Sequence, residues 1–248
     1  MRLKEFAFCP SSSYETKIGY LAALSPEKWS FDNRSDNAIL KNYIEHTFQK
    51  LEQEDKIQVT DSYALFNTGL YEEYYEPIFA YFTPNRIPDH QKWFLDGFYT
   101  PYQLGNMGIH DYPARANYFD NPANLVFNTN CDIVLQYQHI FGTPENRMRL
   151  PESVRNSPNR QMLFDGAVQR TKKMIDANYK TAVPQYYKDR IQLLIPIYLI
   201  RPGIPDLALV VSKNEAEDKY LGHTCLTMDM AYNNARLIAK PESSWLKP

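Results

Sequence analysis

From Ile57 onward the chain is broken into short apolar runs too short and too often interrupted to be helices. "IQVTDSYALFNTGLY", "EPIFAYFTP", "KWFLDGFYT", "NLVFNTN" and "DIVLQYQHIF" are aromatic or β-branched, and Pro, Gly or Asn separates them. Aromatic and β-branched side chains suit a pleated, half-buried surface, and the punctuating residues suit turns. The pattern therefore predicts strands. "IQLLIPIYL", "PDLALVVSK" and "YLGHTCLTM" supply three more toward the C-terminus. Pro196 has no N–H to give a ladder, so the first of these is expected at an edge or at a bulge.

Two stretches carry the helical period instead. In "SDNAILKNYIEHTFQKLEQED", Ile39, Leu40, Tyr43, Ile44, Phe48 and Leu51 form one apolar face, with Ser35 or Asp36 placed to accept from the first turn. In "SPNRQMLFDGAVQRTKKMIDANY", Met162, Leu163, Ala167, Val168, Thr171, Met174 and Ile175 share a face, and Asn178 is placed as a C-terminal cap. The order helix, strands, helix, strands predicts an α+β fold. The expectation is one domain over 1–248, with an N-terminal helical portion to about 56. A largely antiparallel mixed sheet would pack against two main helices, about 36–54 and 158–178. The polar, Pro-rich segment 142–160 reads as a mobile loop.

Charge and cysteine usage narrow the function classes. The 248 residues carry a net charge of −2, so the whole chain is not a phosphate-binding polycation. Yet residues 147–190 hold ten Lys/Arg against four acids, a local basic stretch that can track phosphates or simply face solvent. Cys9, Cys131 and Cys225 are odd in number and far apart, which predicts neither a disulfide framework nor a thiolate metal site. The N-terminus "MRLKEFAFCPSSS" has no long apolar core, and no run approaches the ~18 apolar residues of a membrane span. A cytoplasmic protein without a membrane, metal or cofactor is the expectation.

Phosphate-loop, dinucleotide-loop, nucleophile-elbow and zinc-helix motifs are absent. Four stretches remain as candidates for chemistry. "FNTGLY" places Asn67, Thr68 and Gly69 after an apparent strand, where Gly69 can take a positive φ and free N–H groups can cradle an anion. An ordinary strand-end turn explains the same residues. "QHIFGTPENRMRLP" ends a strand on His139 beside Arg147 and Arg149, an arrangement suited to acid–base work on a phosphoryl group. "NYKTAVPQYYKDRIQ" offers Asn178, Lys180, Gln185 and Tyr186, with an aromatic ring to stack a base and an ammonium to meet a phosphate. In "TCLTMDMAYNNARLI", Asp229 would cap a short helix, placing Asp229, Asn233 and Arg236 on one face, with Asn234 beside them. That group is either a buried polar network or a ligand site.

"FNTGLYEEYYEPIFAYF", "NYKTAVPQYY", "IQLLIPIYL", "DLALVV" and "LTMDMAYNNARLI", with "SSWL" after it, together resemble a family of unknown function found in bacteria and fungi. Its domain occurs alone or beside OST-HTH (LOTUS), cold-shock and CCCH zinc-finger modules. The resemblance runs from near the N-terminus to Leu246. It places the family pattern on Asn67, Thr68 and Gly69; on His139, Asn146 and Arg149; on Asn178, Tyr179, Lys180, Pro184, Gln185 and Tyr186; on Asp206; and on Asp229, Tyr232, Asn233, Asn234 and Arg236. Companions that bind RNA imply an RNA-linked role. The resulting expectation is a domain that binds or processes RNA or an RNA-derived nucleotide. As an enzyme it would be a metal-independent phosphoester hydrolase or transferase using His139, Arg149, Asp229 and Arg236. Asn67, Thr68, Gly69, Asn178, Lys180, Gln185, Tyr186, Asn233 and Asn234 would hold the substrate. A non-catalytic RNA-binding module and a small-nucleotide sensor or scaffold are the rivals.

Overall fold

The structure is a computed structural model and describes every residue except 33, 215 and 217. The chain divides into two compact units, Met1–Asn117 and Tyr118–Pro248, each built on its own five-stranded sheet. The fold is α+β.

In the first unit, α1 (Leu3–Phe6), β1 (Ala7–Phe8), α2 (Ser11–Leu24) and α3 (Ala38–Gln53) precede β2 (Gln58–Val59), β3 (Ala64–Tyr71), β4 (Pro77–Pro84), β5 (Trp93–Tyr99) and α4 (Pro101–Asn106). The sheet order is β1-β5-β4-β3-β2, antiparallel except for the parallel β1–β5 pair. The predicted apolar face of α3 is buried in full, together with Thr47. Asp36 accepts from the Ala38 N–H at 3.1 Å, as its position foretold. Phe48 meets Phe66 edge-on at 5.6 Å, and Phe66 lies 5.8 Å from Phe82. Each such buried ring contributes about 1.5–3 kcal/mol by leaving water. The helix α2 has no apolar stripe strong enough to announce it; only Ile18 and Leu21 are buried along its length.

The second unit contains β6 (Asp132–Leu135), α5 (Tyr137–Gly142), α6 (Pro144–Arg149), α7 (Glu152–Arg155), α8 (Arg160–Ala177), β7 (Val183–Tyr187), β8 (Arg190–Ile197), β9 (Leu207–Asn214), β10 (Lys219–Leu226) and α9 (Met228–Arg236). Its sheet runs β6-β10-β9-β8-β7, with β6 and β10 parallel and the other pairs antiparallel. Leu207, Leu209 and Val211 of β9 join Leu193, Ile195 and Ile197 of β8 in a core with Ile140, Phe164, Val168 and Ile175. Alternation along β9 therefore sends Ser212 to the opposite face.

"NLVFNTN" is not a strand: Pro122–Leu125 forms a 3-10 turn capped by Asn121. "DIVLQYQHIF" is a strand only to Leu135, and His139 lies on α5 rather than at a strand end. The segment 142–160 is no open loop but carries α6 and α7, with Pro144 at the first helical position and Thr143 accepting from the Asn146 N–H. On α8, Met162 and Leu163 face solvent and Phe164 enters the core instead. Pro196 sits on β8 between two strands, yet β7 pairs only as far as Leu194. Beyond that point the side of β8 away from β9 is open, and the Pro196 carbonyl accepts from Thr171 Oγ1 at 2.6 Å. The missing N–H thus removes no ladder bond.

Candidate functional site

In the second unit, α9 begins where the alternation of β10 stops. Thr227, not Asp229, is the N-cap: its hydroxyl accepts from the Met230 N–H at 3.4 Å. Asp229 lies exposed in the first turn and Arg236 in the last, each at the helix end its charge favours. Ala231, Tyr232, Ala235 and Arg236 are buried. Asn234 Nδ2 donates to Gln185 Oε1 at 3.1 Å, and Gln185 Nε2 donates to Gln192 Oε1 at 3.0 Å. Gln185 is 1% exposed, so this amide chain is a core network joining α9, β7 and β8. Asn233 Oδ1, one residue earlier on α9, is buried with no hydrogen-bond partner. Tyr186 takes no part in that chain; its hydroxyl donates to Asp189 Oδ1 at 3.0 Å and its ring meets Tyr118 edge-on.

Asn178 and Lys180 form a separate turn. Asn178 closes α8 and its side chain accepts from the Lys180 N–H, opening a 3-10 turn over Tyr179–Thr181. The Lys180 side chain is exposed.

Asn67, Thr68 and Gly69 belong to the first unit and sit inside β3, at a bulge where the β3–β4 register shifts, not in a strand-end turn. Their polar groups are committed. Gly69 N–H donates to Asn67 Oδ1 at 2.9 Å, Leu70 N–H donates to Thr68 Oγ1 at 3.2 Å, and Thr68 Oγ1 donates to the Ile78 carbonyl at 2.6 Å. Gly69 does have the expected positive φ, +73°, but a Cβ there would stand 2.7 Å from the Tyr43 hydroxyl. The glycine serves close packing against α3, and the Gly69 and Leu70 N–H groups are not free to cradle an anion.

His139 and Arg149 meet chemistry that sequence reading passed over. A second bulge falls between Gly222 and Thr224 on β10 and turns out His223. His223 Nε2 lies 2.5 Å from Ser212 Oγ on β9, and its Nδ1 lies 3.1 Å from Gln136 Oε1 at the start of α5. An amide oxygen can only accept, so Nδ1 carries the ring proton and Nε2 is left to accept from the serine hydroxyl. Burial lowers the His223 pKa below its ordinary 6.5, and the nearby His139 ring pushes the same way. His139 is exposed on α5, three residues beyond Gln136. Arg149 of α6 donates to the Cys225 carbonyl at 2.8 Å, two residues further along β10. Burial raises the Cys225 thiol pKa, which disfavours its thiolate.

The fold therefore brings the expected residues together in groups. Gln185 and Asn234 meet between β7 and α9, with Asn233 adjacent in sequence. Ser212, His223 and Gln136, three residues not singled out beforehand, form a hydrogen-bonded group; the His139 ring acts on His223 through its charge, and Arg149 holds the β10 backbone at Cys225. One sequence signal pointed to them: a glycine inside a strand pattern, as in "YLGHTCL", marks a bulge. Among the described residues no three His, Cys, Asp or Glu side chains gather as a metal-binding group. No helix of the described residues is long and apolar enough to cross a membrane.

Neither the curated proteins nor the solved structures contain a match to this chain. A family model, described as a domain of unknown function (DUF3825), matches residues 21–245. That span takes in the second sheet, the first sheet apart from β1, and every residue of the Ser212–His223–Gln136 group, and the chain belongs to this family.

Proposed function

We propose that the second unit is a phosphoester hydrolase or transferase acting on RNA or an RNA-derived nucleotide. The observation that carries this reading is the hydrogen-bonded series Ser212 Oγ, His223, Gln136, with His139 beside it. A hydroxyl within reach of a neutral imidazole, itself oriented by a third group, is the arrangement of an activated nucleophile.

In this reading His223 Nε2 takes the Ser212 proton as Oγ bonds to phosphorus. The phosphorus–oxygen bond to the leaving group breaks, and His139 gives that oxygen a proton. Water then attacks the phosphoserine, losing its proton to His139. The Oγ–phosphorus bond breaks and His223 returns the proton to Ser212. The remaining N–H groups of Arg149 balance the charge that grows on the phosphoryl oxygens. Support for RNA as the substrate comes from the RNA-binding modules that the family resemblance implies and from the exposed Arg147, Arg170, Lys173 and Lys188 of this unit. Three free cysteines fit a reducing, cytoplasmic setting.

The test is incubation of end-labelled single-stranded RNA and of mononucleotides with the protein, with and without chelator. Product that persists in chelator is expected. Removing Ser212, His223 or His139 as alanine variants is expected to lower its rate by at least 100-fold, the scale of a lost acid–base group. Full turnover by Ser212→Ala would remove the nucleophile from this scheme. RNA that shifts on a native gel yet stays intact would favour the binding module, for which the same exposed cations argue.

A further inference from the structure

A cavity of about 240 Å³ opens in the second unit, away from the His223 group. It lies against β7, at the sheet edge opposite β6, and β9 and β8 separate β7 from β10. At about 4.8 Å per strand, three steps make a separation of roughly 14 Å. Leu125, Val126, Val183, Pro184, Ala235 and Ile238 form apolar walls. Val126 is 46% exposed and Tyr179 59% exposed, so the cavity reaches the surface beside an aromatic ring. The outer wall is the chain after α9, and it is tied in place. Ser243 Oγ donates to the Lys180 carbonyl at 2.5 Å, and Trp245 Nε1 donates to the Thr181 carbonyl at 2.9 Å.

The polar groups at this cavity are Lys180, Lys240, Glu242 and Ser243. Two ammonium groups against one carboxylate leave the mouth positive. Both lysines are exposed, and both line a cleft whose walls are otherwise largely apolar. An apolar slot with a cationic rim selects a ligand with the reverse pattern, an apolar body carrying an anionic group. The volume is below the roughly 300–1,000 Å³ of common drug-sized sites, which limits the body to a single ring system.

We infer that this cleft binds a small amphipathic anion, one ring bearing a phosphate or a carboxylate, with the ring between Val183 and Ile238 and the anion on Lys180 and Lys240. The site is independent of the proposed phosphoester chemistry, and its test reads binding rather than turnover.

The experiment is titration calorimetry of the full chain with phenylphosphonate, benzoate, benzyl alcohol and inorganic phosphate. Binding of phenylphosphonate, of benzoate or of both is expected, with benzyl alcohol and phosphate alone at least tenfold weaker. Which of the two anions binds identifies the source. Ala239→Trp, at an exposed lip position, should fill the slot and weaken binding at least tenfold. Lys180→Glu should do the same through charge, and Glu242→Gln should tighten binding. The inference is overturned if neither anion binds at millimolar concentration, if benzyl alcohol binds as tightly as the anions, or if Ala239→Trp binds normally.

Discussion

The His223 ring is held from both nitrogens, by Ser212 and by Gln136, in surroundings that disfavour its charge. This has a pH signature. In the unfolded chain the ring takes a proton near its ordinary value; in the folded chain it does so only at lower pH. Between those two values the unfolded state binds more protons, so stability rises with pH. The His223 contribution is present above about pH 6.5 and is lost as pH falls through the folded value. His46 is shifted in the same direction, also by burial, and adds to the trend. Urea unfolding at pH 7.5, 6.5 and 5.5 should show the native chain losing stability toward acid, with a shallower slope for His223→Gln. Equal slopes would mean that the ring is not restrained as described. At this same scale lies the reason why the site escaped sequence reading. His223 was one of five scattered histidines, and its partners Ser212 and Gln136 are residue types with no distinctive spacing. His139 and Arg149 were legible because they sit close together in the chain.

The elements were legible in proportion to how locally they are determined. The α3 face follows from its own period, and so does the centre of α8. Leu163 and Phe164 are adjacent and both apolar, so only packing decides which is buried, and Phe164 fills the space against Phe141. The short helices α6 and α7 carried Pro and Thr start signals, but a polar, Pro-rich texture hid them. The β6–β10 pair depends on contact between distant segments, and no local pattern announces it. In it the Leu135 side chain lies over the Gly222 backbone. A Cβ on Gly222 would stand 2.7 Å from Leu135 Cδ2. Gly222→Ala should therefore cost about 1–2 kcal/mol, as overpacking does. In a Leu135→Ala background the same substitution should cost markedly less, and a double-mutant cycle in urea measures the coupling. Additive effects would show that the Leu135 side chain does not occupy the space above Gly222.

Over the whole molecule, each unit has a sheet and a core of its own, and the boundary falls between Asn117 and Tyr118. The core of the second unit draws on β8, β9, β10, α5 and α8, all within 118–248. Residues 118–248 expressed alone should thus give a single cooperative unfolding transition; a fragment without one would show that its core is incomplete without the rest of the chain. The α+β class was readable from the order of helices and strands, but the division into two sheets was not, since nothing in the strand texture marks where one sheet ends. The parallel pairing of β6 with β10 has a further consequence, in time rather than space. Gln136 and His223 are 87 residues apart, so the bond between them closes a long loop. Long-range pairings form late, because closure entropy must be met before the contact repays it. As the chain leaves the ribosome, Gln136, His139, Arg149 and Ser212 all emerge before His223. Until β10 has docked, Ser212 and Gln136 lack the imidazole that joins them. In the proposed scheme, reactivity would then be acquired at the last step of folding, and an unfinished chain would not have it.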